Sequence, residues 1–83
     1  MNGQAGPDKQ DIQESREMLG NKIRLIRESR GYTQTQIAGM MNVHSSTISK
    51  IEAGKFPITV DYLAKLAWYL RFEISLIEKP NKE

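Results

Sequence analysis

Cysteine is absent from the 83 residues, which excludes disulfide frameworks, thiol nucleophiles and zinc ribbons together. Histidine occurs once, at His44, so a multi-histidine metal centre is excluded, and neither a metal nor a cofactor is expected. Long apolar runs are missing too. The longest is Leu66-Ala67-Trp68-Tyr69-Leu70, far short of the ~18 residues that span a bilayer. No apolar block follows a basic start, so no secretory signal is expected. Neither a nucleophile–base pair nor a phosphate-cradling Walker-type glycine loop can be picked out, and no enzymatic activity is expected. The length leaves room for one small core and not for two. These exclusions point to a cytoplasmic binding protein with no membrane contact.

What remains is 39% apolar and 27% charged, the mix of a folded chain. The formal charge of +2 is unevenly spread. Residues 1–15 carry Lys9 against Asp8, Asp11 and Glu14, a net of −2. Residues 16–55 carry seven Lys/Arg against Glu17, Glu28 and Glu52, a net of +4, and residues 56–83 hold four of each sign. The basic excess in the middle favours a polyanionic partner, although a solvated helix face gives the same count.

Residues 1–10, with two glycines and a proline, read as a disordered tail. A helix follows from Asp11, where Asp11 and Glu14 serve as a capping box or Ser15 caps a later start. Leu19, Ile23 and Ile26 share one face, Met18 and Leu25 widen it, and Gly31 stops the helix near Arg30. Thr33 caps a second helix of two turns carrying Ile37, Ala38 and Met41. Asn42, which tolerates left-handed backbone, makes a tight turn, with Val43 packed inward. A third helix starts at His44 or Ser45, buries Ile48 and Ile51, and ends at Gly54. Thr59 caps a fourth, with Asp61 in its first turn. Val60, Leu63, Ala64, Leu66, Ala67 and Leu70 cover nearly half its circumference. Residues 72–78 alternate, so Phe72, Ile74 and Leu76 share one side of a strand. A fifth helix competes, but β-branched and aromatic content and the closing Pro80 favour the strand.

Short helix, tight turn, second short helix is the outline of a helix-turn-helix unit. Counted from Gln34 as the first of twenty positions, apolar residues are wanted at the fourth, eighth, tenth, fifteenth and eighteenth. Ile37, Met41, Val43, Ile48 and Ile51 stand there. The fifth must be small for the helices to approach, and it is Ala38. At the ninth, where glycine is usual, Asn42 is a chemically sensible departure. The five apolar positions are core residues under any reading. The hydroxyl-rich run from Ser45 to Lys50, taken without its flanks, would be an ordinary solvated face.

With its flanks, the stretch Leu19–Ile58 resembles a lambda-repressor-like (Cro/repressor, XRE-type) DNA-binding domain. The residues that carry the likeness are I-R-L-I-R at 23–27, G-Y-T-Q at 31–34, I-A at 37–38, S-T-I-S-K-I-E at 46–52 and G-K at 54–55. The resemblance implies an all-α fold of four to five helices, here with a short C-terminal β-strand. It divides the chain into the tail (1–10), a helix-turn-helix domain (11–71) and a dimerisation strand with its tail (72–83).

It also implies double-stranded DNA as partner. Ser45, Ser46, Thr47 and Lys50, at the start of the second helix of the unit, would face base edges. Thr33 and Gln34 at a helix N-terminus, with His44 and Lys55, would hold phosphates. Lys22 and Arg24, on the first helix, are weaker phosphate candidates. Arg27 is implied to bridge Glu52 and so to position the reading helix, with Ala38 and Asn42 shaping the turn.

One such unit covers ~4 to 5 base pairs, too few to select a site in a genome, so a homodimer is expected. A lone strand leaves its backbone unpaired, and the same strand from a second copy would satisfy it. Trp68, Tyr69, Phe72, Ile74 and Leu76 are the residues expected at that junction. Members similar to antitoxins end in such a strand. The function implied is a dimeric transcriptional regulator, in particular a repressor. The alternative is an antitoxin that chiefly binds a toxin protein and binds DNA to regulate itself.

Overall fold

The computed structural model describes residues 6–81. Its regular structure consists of four helices: α1 (Lys9–Ser29), α2 (Gln34–Met41), α3 (Ser45–Glu52) and α4 (Val60–Leu70). α3 packs against α1 and α2, and α4 packs against α2.

Asp8 begins α1. Its carboxylate accepts from the Asp11 amide at 2.9 Å, and the Asp11 carboxylate accepts from the Asp8 amide at 3.2 Å. The capping box therefore sits three residues earlier than the pattern predicts, because Asp11 is the answering acid and not the cap. Ser15 does not start a helix; its hydroxyl bonds back to the Asp11 carbonyl at 3.1 Å. Lys9 and Gln10, read as part of a tail, thus belong to α1. Residues 1–5 of that tail lie outside the described residues. Gly31, at φ +83°, stops the helix as expected.

The buried stripe of α1 is narrow: Gly20, Ile23 and Arg27, flanked by half-buried Leu19 and Ile26. Met18 and Leu25 do not widen it; both are exposed. The reason is close approach. A β-carbon on Gly20 would collide with the carbonyl oxygens of Ile51 and Glu52, at 2.7 Å from the latter. With the backbones that near, α3 covers only the residues directly beneath it.

The core proper is Ile23, Ile37, Ala38, Ile48, Ile51, Leu66 and Leu70, one cluster holding all four helices together. Thr59 caps α4 by accepting from the Tyr62 amide at 3.1 Å. Only Leu66 and Leu70 of α4 are fully buried, whereas Val60 and Trp68 stand in solvent, so the covered arc is narrower than the sequence pattern predicts. Arg71 ends α4 in the left-handed region at φ 63°. Arg30 holds that end: its guanidinium donates to the Leu70 carbonyl at 2.8 Å and the Arg71 carbonyl at 2.9 Å.

Beyond Arg71 the described chain forms neither strand nor fifth helix. The left-handed Arg71 diverts the backbone out of the helix, and no other described segment offers an edge for a strand to pair with. Among the described residues the fold is all-α with four helices. Among the described residues no helix is long and apolar enough to cross a membrane.

Candidate nucleic-acid interface

The unit is assembled by local chemistry at each end of α2. The Thr33 hydroxyl accepts from the Gln36 amide at 3.0 Å, and the Gln36 side chain accepts from the Thr33 amide at 2.8 Å. This capping box engages two of the first-turn donors. The amides of Gln34 and Thr35 keep no acceptor within the described chain. They point a small positive field outward, where an anion is favoured. At the other end Asn42 adopts φ 58°, ψ 47°. The Val43 amide then reaches back to the Ala38 carbonyl at 2.9 Å. Ala38 is buried where α2 meets α3, and a larger side chain there would push the helices apart.

α3 starts with His44 in the capping position, but the imidazole makes no capping bond. The ring is exposed. Ile48, Ile51 and Glu52 form the buried side of α3. The outward stripe is Ser46, Ser49, Lys50 and Ala53, spaced i, i+3, i+4 and i+7, all exposed. Ser45 is exposed at the first turn, while Thr47 is half-buried on the flank. Ser49 was missing from the residues expected to face bases, although helical spacing from Ser46 already placed it on this stripe.

A buried ionic cluster sets the angle of this stripe. Arg27 and Glu52 are only 6% and 7% exposed. The guanidinium meets the carboxylate in a fork, Nε to Oε2 at 2.6 Å and Nη2 to Oε1 at 2.9 Å. Its third nitrogen donates to the Tyr32 carbonyl at 2.7 Å, and Gln34 Nε2 donates to Glu52 Oε1 at 2.9 Å. One carboxylate thereby ties α1, the start of α2 and the end of α3. The hydrogen bonds to Glu52 hold the Arg27 pKa above its ordinary value, against the opposing effect of burial, with the charges of Glu52 and Glu28 adding to the rise. Gln34, expected to reach a phosphate, thus has its side-chain amide turned inward on Glu52 and contributes to the outward face through its backbone N–H.

The loop after α3 is equally well defined. Gly54 takes φ +74°, its amide bonds to the Ile51 carbonyl at 3.1 Å, and the Lys55 amide bonds to the Lys50 carbonyl at 2.9 Å. This is the Schellman arrangement that glycine permits. Gln13 braces it from α1, donating to the Gly54 carbonyl at 3.0 Å. The bond holds the exposed Lys55 beside the C-terminal end of α3. Ser45, Ser46 and Lys50 are thus exposed on α3, Lys55 is exposed in the loop that follows it, and the Gln34 and Thr35 amides stand free at the start of α2. Arg24 is engaged with Glu28 at 3.2 Å and with Asn21, whereas Lys22 is exposed on α1.

The residues expected at a dimer junction gather elsewhere, around an open apolar groove of about 760 Å³ between α2 and α4. Trp68, Tyr69, Phe72 and Ile74 line it. Trp68 is 76% exposed and stacks edge-on against Tyr69, ring centres 5.1 Å apart. Leu76 lies beyond the groove in solvent.

A capped short helix, a left-handed turn at Asn42 and a second short helix with an uncovered polar stripe define a helix-turn-helix DNA-binding domain. A family profile described as Helix-turn-helix matches residues 23–77. The chain belongs to that family, the XRE-type, lambda-repressor-like domains that bind DNA in sequence-specific regulators. No curated protein matches the chain.

Proposed function

We propose that the chain is a dimeric transcriptional repressor that reads base edges in the major groove with α3. The observation that carries this reading is the outward stripe of α3, polar, exposed and held at a fixed angle by the Arg27–Glu52 fork. Ser45, Ser46, Thr47 and Ser49 offer hydroxyls that donate or accept, and Lys50 reaches guanine O6 and N7. The free amides of Gln34 and Thr35, with Thr33, His44 and Lys55, take the phosphates on either flank. The face carries no Arg or Gln for the stronger bidentate base contacts, so part of the selectivity comes from duplex shape and half-site spacing. Repression is the act for which occupancy of a promoter suffices.

A dimer places two reading helices one turn of duplex apart, about 34 Å. Selection of bound duplexes from a random pool tests the reading as a whole. A palindromic consensus with half-sites about 10 base pairs apart is expected; a pool that remains unenriched would sink it. The antitoxin reading draws on the exposed apolar groove at Trp68. Stoichiometric co-purification of a second polypeptide would favour it.

A further inference from the structure

Resting on the DNA reading above, we propose that the first two turns of α1 form a second backbone-binding edge, where Lys9 and Arg16 hold duplex phosphates beyond the flank met by Lys55. The family profile begins at residue 23, so this edge lies outside the matched domain. Lys9, Ile12, Gln13 and Arg16, spaced i, i+3, i+4 and i+7, share one face of α1. Together they line a hollow of about 420 Å³. The same spacing continues through Gly20, Ile23 and Arg27, the buried stripe of α1. The edge is therefore that stripe carried on beyond the helices that cover it, with Lys9 and Ile12 exposed and Arg16 half-buried.

Gln13 fixes where the edge looks. Its side-chain amide donates to the Gly54 carbonyl at 3.0 Å, and a β-carbon on Gly54 would meet Glu17 Cα at 2.9 Å. The edge thus abuts the loop that presents Lys55, and the two basic elements are continuous. Its charge is one-sided. Residues 1–15 are net acidic, yet Asp11 and Glu14 lie about 150° around the helix from the centre of the face. Asp8 and Asp11 are engaged in the cap, Glu14 accepts from Gln10 at 3.0 Å, and Glu17 accepts from Gln13 at 3.0 Å. Lys9 and Arg16 make no ion pair among the described residues, so both charges are left for a polyanion. Their positions are separated by about 10 Å along the helix axis, which matches the rise of about three base pairs of duplex. A duplex backbone supplies anions at that interval, and in the DNA reading it already passes Lys55.

Salt dependence tests the charges. On a mixed-sequence duplex of about 30 base pairs, roughly three helical turns, the full-length variant Lys9→Gln with Arg16→Gln should lower the slope of log affinity against log salt by about two per chain. Lys9→Gln with Arg16→Lys, which keeps one charge, should lose only about one. Removing two charges elsewhere, by Lys65→Gln with Lys79→Gln, should leave the slope unchanged. An equal fall for both charge-removing pairs, or no fall for the first, overturns the edge. The absence of cysteine lets a photo-cross-linker be carried on single introduced thiols. Ile12→Cys should capture the duplex, whereas Met18→Cys, exposed on the far side of α1, should not. A silent Ile12→Cys, or equal capture at both positions, overturns the placement. Ala53→Cys, on the outward stripe of α3, reports on the DNA reading itself. Capture at position 53 without capture at position 12 refutes this proposal alone; failure at both positions takes the functional reading with it.

Discussion

Glu52 is the residue on which the setting of α3 depends most. It accepts from two Arg27 nitrogens and from Gln34, yet none of the three side chains belongs to the outward stripe. Removing one partner leaves a buried charge unpaired, so Arg27→Ala should cost about 3 kcal/mol in chemical denaturation. Arg27→Lys should recover only part, because an ammonium cannot form the fork. Tyr62 is the opposite case. Its hydroxyl is buried with no hydrogen-bond partner, and burial pushes its pKa above the ordinary value of about 10. Tyr62→Phe should therefore stabilise the fold by about 1 kcal/mol near neutral pH. The sign with pH follows from the raised value: the folded state holds this proton more tightly than the unfolded chain. The contribution is intact below pH 10 and is lost as pH rises through the folded-state value. Urea titrations of parent and Tyr62→Phe across that range should show the parent losing stability more steeply. Parallel decline would contradict the assignment.

Among the elements, α3 and the loop after it carry two lysines that are proposed to meet DNA in different ways. Lys50 lies on the outward stripe and Lys55 in the loop braced by Gln13. Lys50→Ala should relax base preference with the fold intact. Lys55→Ala should weaken all duplexes about equally and lower the salt slope by about one. Binding isotherms at several salt concentrations decide it; identical behaviour of both variants would contradict the division. Punctuation of the elements was largely legible, because Thr33, Asn42, Gly54 and Thr59 act on backbone within a few residues of themselves. The start of α1 was less so: Asp8 and Asp11 are both competent caps, and only geometry chooses. Gly20, the Gln34–Glu52 bond and the Arg30 clamp on α4 carry no local signal, since each depends on a partner 18 or more residues away. Left-handed Arg71 is a further surprise, as arginine has no preference for that region. The segment after it was unreadable for a different reason. A strand needs an edge to pair with, and within one chain residues 72–78 find none.

At the scale of the whole molecule, two surfaces are open. One is polar and presented by α3; the other is apolar and lies between α2 and α4. The first is proposed to meet DNA and the second another protein surface, so the two events should be physically separable. That separation is the central claim. Its most direct test is amide and indole shift mapping of the labelled chain during titration with a duplex. Gln34, Thr35, Ser45 to Lys50 and Lys55 should shift together, and less so as salt is raised, while the indole of Trp68 stays in place. Perturbation centred on Trp68 and the α4 groove, with α3 unmoved, would contradict it.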